Sequence, residues 1–96
     1  MLHHILVKWK ETPADPDALL REIQALFEGA LTITGVHQVN VVPNVVNRPN
    51  RYDLLIRLRM DTDALSAYDA CEAHHLWKER YGARIAQKAI FDCEEA

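Results

Sequence analysis

The sequence is short of the residues that build specialised scaffolds: two cysteines, three glycines and four prolines in 96 residues. Cys71 and Cys93 are too few for a disulfide framework and lack CxxC spacing. They read as reduced thiols that pack as small apolar side chains. Glycine is too sparse for a phosphate-cradling loop, and none occurs. Aromatic residues make up 7%, and Trp9, Trp77 and Tyr81 are too scattered to form a base-stacking platform. There is no surplus of positive charge either. Eleven basic against fourteen acidic residues give −3, the wrong sign for a phosphate-binding surface, so no nucleic-acid partner is expected. Apolar runs extend only a few residues, far short of the roughly 20 that cross a bilayer, so no membrane association is expected. Met1-Leu2-His3-His4 shows no basic segment followed by an apolar one. That pattern carries no export signal, and a cytoplasmic location is expected.

What is present is an ordinary globular composition, 49% hydrophobic and 26% charged. A chain of this length predicts a single domain over residues 1–96 with a modest core. Residues 3–9 alternate, with His3, Ile5, Val7 and Trp9 on one face and His4, Leu6, Lys8 and Lys10 on the other, which predicts a half-buried strand. Pro13 and Pro16 stop it. Asp15 suits a helix N-cap, with Pro16 at the first helical position and Asp17 complementing the dipole. Leu19, Ile23, Leu26 and Phe27 recur at helical spacing before Gly29.

Thr34-Gly35 marks a turn into a second strand, Val36 to Val42, and the polar stretch Asn44 to Arg51 predicts a hairpin loop. Tyr52, Leu54, Ile56, Leu58 and Met60 alternate with Asp53, Leu55, Arg57 and Arg59 in a third strand. Asp61-Thr62-Asp63 suits the cap of a second helix bearing Leu65, Tyr68 and Cys71 on one stripe. His74 to Tyr81 continues it until Gly82, and Ile85 to Cys93 forms a last strand.

The order βαββαβ predicts an α+β, ferredoxin-like fold: a four-stranded antiparallel sheet with strands one and three central and both helices on one face. The uncovered face presents Leu6, Leu55, valines of strand two and Phe91 among Lys8, Arg57 and Arg59. A mixed surface of that size predicts a homodimer paired sheet to sheet. The glycine-aromatic signature of RNA-binding domains with this topology is missing, since Leu54-Leu55-Ile56 stands in the third strand. Five histidines raise a metal reading. His3-His4 and His74-His75 are adjacent pairs, however, and no HxxxH or HExxH occurs, so no metal is expected.

Three stretches carry a family resemblance. His3-His4-Ile5-Leu6-Val7-Lys8-Trp9-Lys10, then Leu65-Ser66-Ala67-Tyr68 with His74 six residues on, then Ile90-Phe91-Asp92 resemble, in order, three motifs of the stress-responsive A/B-barrel (Dabb) family. That resemblance implies a dimeric α+β barrel. Most of the family has no assigned activity. One plant polyketide cyclase within it closes a linear poly-ketone by intramolecular aldol condensation without metal or organic cofactor. Carried over residue by residue, the resemblance implies His74 as base, Asp92 orienting it, Tyr68 binding a carbonyl and His3 lining the pocket. Leu26 and Leu54 stand where the cyclase has a tyrosine and a histidine, and Cys71-Glu72 replaces a His-Pro, so the implied pocket is more apolar.

The chemistry is coherent. An imidazole titrating near neutrality suits abstraction of a proton beside a carbonyl. A carboxylate on its other nitrogen fixes the tautomer. A preorganised hydroxyl donor to the developing enolate is worth roughly 3 kcal/mol. The same residues also suit a non-catalytic pocket for a small apolar molecule. A third reading is a cofactor-free monooxygenase or isomerase of the dimeric α+β barrel type. No cofactor is expected in any of the three.

Overall fold

The structure, a computed structural model, describes residues 1–95. Strand β1 (Leu2–Trp9) leads into helix α1 (Pro16–Glu28), then β2 (Val36–Pro43) and β3 (Leu54–Met60). Two helices follow, α2 (Leu65–Asp69) and α3 (Glu72–Tyr81), and β4 (Ile85–Cys93) ends the sheet. The sheet order is β2-β3-β1-β4 with every neighbouring pair antiparallel, the expected ferredoxin-like arrangement.

Alternation decides which side chains meet the helices. His3, Ile5 and Val7 of β1 and Leu54, Ile56, Leu58 and Met60 of β3 are buried, while their neighbours in sequence are half-exposed. Helix α1 closes over them with Leu19, Ile23 and Phe27. Its start is built as expected, with Asp15 Oδ1 accepting from the Ala18 N–H at 3.1 Å ahead of Pro16. Gln24 on the same helix fastens the edge strand: its amide donates to the Val39 carbonyl (3.1 Å) and accepts from the Val41 N–H (2.9 Å). Trp77 of α3 completes the core, with ring centroids 5.3 Å from both Phe27 and Tyr81.

Three local expectations are corrected. The second helix is broken in two, because Cys71 leaves helical geometry and serves as N-cap of α3, its Sγ accepting from the His74 N–H at 3.4 Å. Asp61 makes no side-chain cap; its carboxylate accepts instead from His37 Nε2 at 2.9 Å. In β2 a register shift between Val36 and Gln38 turns Val36, Val39 and Val41 all into the core. Only Val42 remains on the uncovered face, opposite Leu55. Gly35 precedes that strand with φ +94°, where a Cβ would stand 3.0 Å from that of Ala64.

No helix among the described residues is long and apolar enough to cross a membrane. The packing predicts that Trp77→Ala costs about 3–5 kcal/mol in urea unfolding. Loss of the helix cap in Asp15→Ala should cost only about 1 kcal/mol.

Candidate functional site

The break between α2 and α3 creates the most specific local arrangement in the chain. A helix ends with carbonyls that have no partner of their own. The carbonyl of Asp69, the last residue of α2, receives a hydrogen bond from His74 Nδ1 at 3.0 Å. A carbonyl can only accept, so Nδ1 carries the hydrogen and Nε2 holds the lone pair. Burial lowers the His74 pKa from its ordinary value, and the Lys78 and Lys88 ammonium groups add to the effect. The Asp69 carbonyl and carboxylate oppose it. The neutral imidazole is favoured, with its basic nitrogen fixed.

Asp92 does not orient that ring. The antiparallel register of β1 and β4 sets His3 opposite Asp92, and Asp92 Oδ1 accepts from His3 Nδ1 at 2.5 Å. His3 is 6% exposed, whereas the carboxylate side chain is 39% exposed. The expected carboxylate–imidazole pair exists, but its histidine is His3, and the Asp69 carbonyl does for His74 what Asp92 was expected to do. Periodicity placed both residues on strands but gave no signal of their register, which joins residues 89 apart.

Tyr68 lies between the two histidines. Its ring centroid is 5.3 Å from that of His3 and 5.1 Å from that of His74. The side chain is buried, and among the described residues its hydroxyl has no hydrogen-bond partner. Burial, then the charges of Cys71 and Asp69, raise its pKa well above the ordinary phenol value. It is therefore a proton-bearing donor that has given up water without gaining an acceptor.

His3, His74 and Asp92 line one cleft of about 260 Å³ at the open edge of the sheet, with Trp77, Lys78 and Lys88 among its other walls. Leu26 and Leu54, expected as pocket residues, do not line it, and neither does Tyr68, expected to bind a carbonyl there, whose side chain is fully buried. Leu26 packs half-buried against the core. Leu54 instead faces a separate cleft of about 390 Å³ with Trp9, Leu19, Leu20, Ile23 and Pro43. That second cleft holds no histidine or cysteine. Two of its charged groups are already engaged, Lys8 Nζ by the Pro49 carbonyl (2.8 Å) and Asp53 Oδ2 by the Trp9 N–H (2.8 Å). Of these two clefts, only the smaller is lined by the imidazoles of His3 and His74. Among the described residues no group of three or more His, Cys, Asp or Glu side chains is placed to hold a metal ion.

The sequence matches no family model, and no curated protein matches it significantly. Solved structures do share its fold. A dimeric protein of unknown function from Bacteroides fragilis superposes with a TM-score of 0.76 at 15% identity, over 98% of this chain and 94% of its own. A Dabb family protein from Mesorhizobium loti gives a TM-score of 0.72 at 13% identity, over 99% and 95%. A protein from Nitrosomonas europaea, described as a candidate antibiotic biosynthesis monooxygenase, gives 0.66 at 12% identity, over 96% and 88%. At these identities the likeness establishes the ferredoxin-like fold.

Two outcomes follow from the site. Tyr68→Phe should leave thermal stability unchanged or slightly raised, because it removes a buried donor that has no acceptor; a loss of 2 kcal/mol or more, on the order of a broken buried hydrogen bond, would contradict this. His74 binds its proton less tightly folded than unfolded, so protonation opposes folding. Its contribution is intact above the unfolded value of about 6.5 and is lost as pH falls toward the folded pKa. The stability of the wild type relative to His74→Gln should therefore decline below about pH 6.5 in denaturant titrations.

Proposed function

We propose that the protein is a small homodimer of the Dabb type whose cleft binds a carbonyl compound and moves a proton on the carbon beside the carbonyl. The observation that carries this reading is the fixed tautomer of His74. Nδ1 is committed to the Asp69 carbonyl, Nε2 is left basic, and the ring is held neutral at the wall of a partly apolar cleft. His74 Nε2 takes the proton from carbon. The electron pair moves onto the carbonyl oxygen as an enolate, while Tyr68, buried and outside the cleft lining, backs both imidazoles through ring contacts. His3, held by Asp92, lines the same cleft and in this reading returns the proton. No metal or organic cofactor enters these steps.

The dimer rests on the uncovered sheet face. His4 and Phe91 lie opposite each other, as do Leu6 and Ala89 and Leu6 and Leu55, and Phe91 remains 61% exposed in the single chain. An aromatic ring so exposed beside aliphatic neighbours is what a two-fold contact covers. The dimeric description of the Bacteroides fragilis neighbour supports the same association. A second reading, cofactor-free oxygenation of an activated carbanion, draws on the Nitrosomonas europaea neighbour. It would begin with the same proton abstraction and would be recognised by oxygen uptake.

Loss of α-hydrogen from a panel of β-keto esters into D2O, followed by proton NMR, tests the reaction. The wild type should accelerate exchange, and His74→Gln should lower the rate by about 10²–10⁴-fold. No acceleration by the wild type, or an unchanged rate in the variant, overturns the catalytic assignment; binding without exchange would leave a non-catalytic small-molecule site. Sedimentation at micromolar concentration should show a dimer that Phe91→Asp dissociates, and a wild-type monomer would overturn the association.

A further inference from the structure

The cleft carries two cations that form no ion pair or hydrogen bond among the described residues. Lys78 sits one helical turn beyond His74 on α3, and Lys88 stands on the helix-facing side of β4, two residues before Ile90 and four before Asp92. Both line the cleft that holds His74. Among the described residues neither ammonium forms an ion pair or a hydrogen bond, although two carboxylates, Asp69 and Asp92, share the cleft. Asp92 is engaged by His3. Lys78 also falls in the last turn of α3, where a cation complements the helix dipole. Lys88, on a strand, has no such use.

Lys78 and Lys88 oppose protonation of His74 while Asp69 favours it, and the two ammonium groups, unpaired among the described residues, are the groups with which an arriving anion can pair. The apolar members of the lining, Ile5, Leu65, Trp77 and Ile90, leave room for the uncharged body of such a ligand.

We propose that this cleft selects carbonyl compounds that carry a carboxylate, which Lys78 and Lys88 hold together while the carbon beside the carbonyl lies at His74 Nε2. The inference rests on the proton-transfer reading above and adds the substrate class. It also gives the lysines a part in the chemistry, since the negative charge that develops on the enolate stays within their field.

Acetoacetate and its neutral methyl ester are the matched probes, titrated at pH 7.5 against the histidine ring resonances of the intact protein. Acetoacetate should bind at least about tenfold more tightly than the ester, an effect of the size expected for charge-assisted contacts. The preference should shrink as NaCl is raised, because both lysines are exposed. It should fall within about twofold in Lys78→Gln/Lys88→Gln and reverse in Lys78→Glu/Lys88→Glu, as electrostatic selection requires. Equal binding of the two probes to the wild type, with His74 shifted by both, overturns carboxylate selection and leaves the proton-transfer site standing. A preference that survives both lysine variants overturns the assignment to these residues. If neither probe perturbs His74 at millimolar concentration, the carbonyl site itself falls and this inference with it.

Discussion

At the junction of α2 and α3 the chain stops being a helix for two residues, and the carbonyl of Asp69 takes the Nδ1 hydrogen of His74. The rest of the functional account depends on that hydrogen bond. An unbroken helix would have spent the carbonyl on a backbone donor and left the imidazole free to turn. With the break in place, the ring has one defined tautomer with its lone pair on Nε2, and His74 lines the cleft. Cys71 stabilises the restart of the helix by accepting from the His74 N–H, so one short segment sets both the backbone and the side chain of the same residue.

The sheet supplies the other half. Strand β1 is paired on both sides, and its alternation sends His3, Ile5 and Val7 beneath the helices while Leu6 goes to the opposite face. Because β4 is an edge strand, Asp92 keeps partial contact with solvent while its partner His3 is buried. A buried imidazole with a carboxylate on one nitrogen and a half-buried imidazole with a carbonyl on one nitrogen share one cleft, and both touch a buried phenol that has no hydrogen-bond partner among the described residues. Each is an ordinary arrangement alone. The two imidazoles lining one cleft are what the proposed acid–base role rests on.

Much of the fold was legible in one dimension because strands repeat every second residue. The faces of β1 and β3 and the limits of β4 follow directly from that period, and the Asp15-Pro16 start of α1 from cap chemistry. The register shift at the start of β2 was not legible, since one extra residue reverses the facing of its valines and leaves no mark in composition. Nor was the helix break, because Ala70 and Cys71 carry neither glycine nor proline. The site residues show the same division. Residue types and their elements could be read from the sequence and its family resemblance, but partners could not. Asp92 faces His3 through strand register, and Leu54 faces a different cleft because β3 begins beside Val7, at the end of β1 away from His3.

The nitrogen-15 chemical shifts of the His74 ring, with their couplings to the ring carbon-bound protons, report its tautomer directly. At pH 7.5 the ring should be neutral, with a protonated, pyrrole-like Nδ1 and an unprotonated Nε2, a pattern that persists in Tyr68→Phe. A ring protonated on Nε2 with its lone pair on Nδ1, or one averaging between the two tautomers, would contradict this assignment.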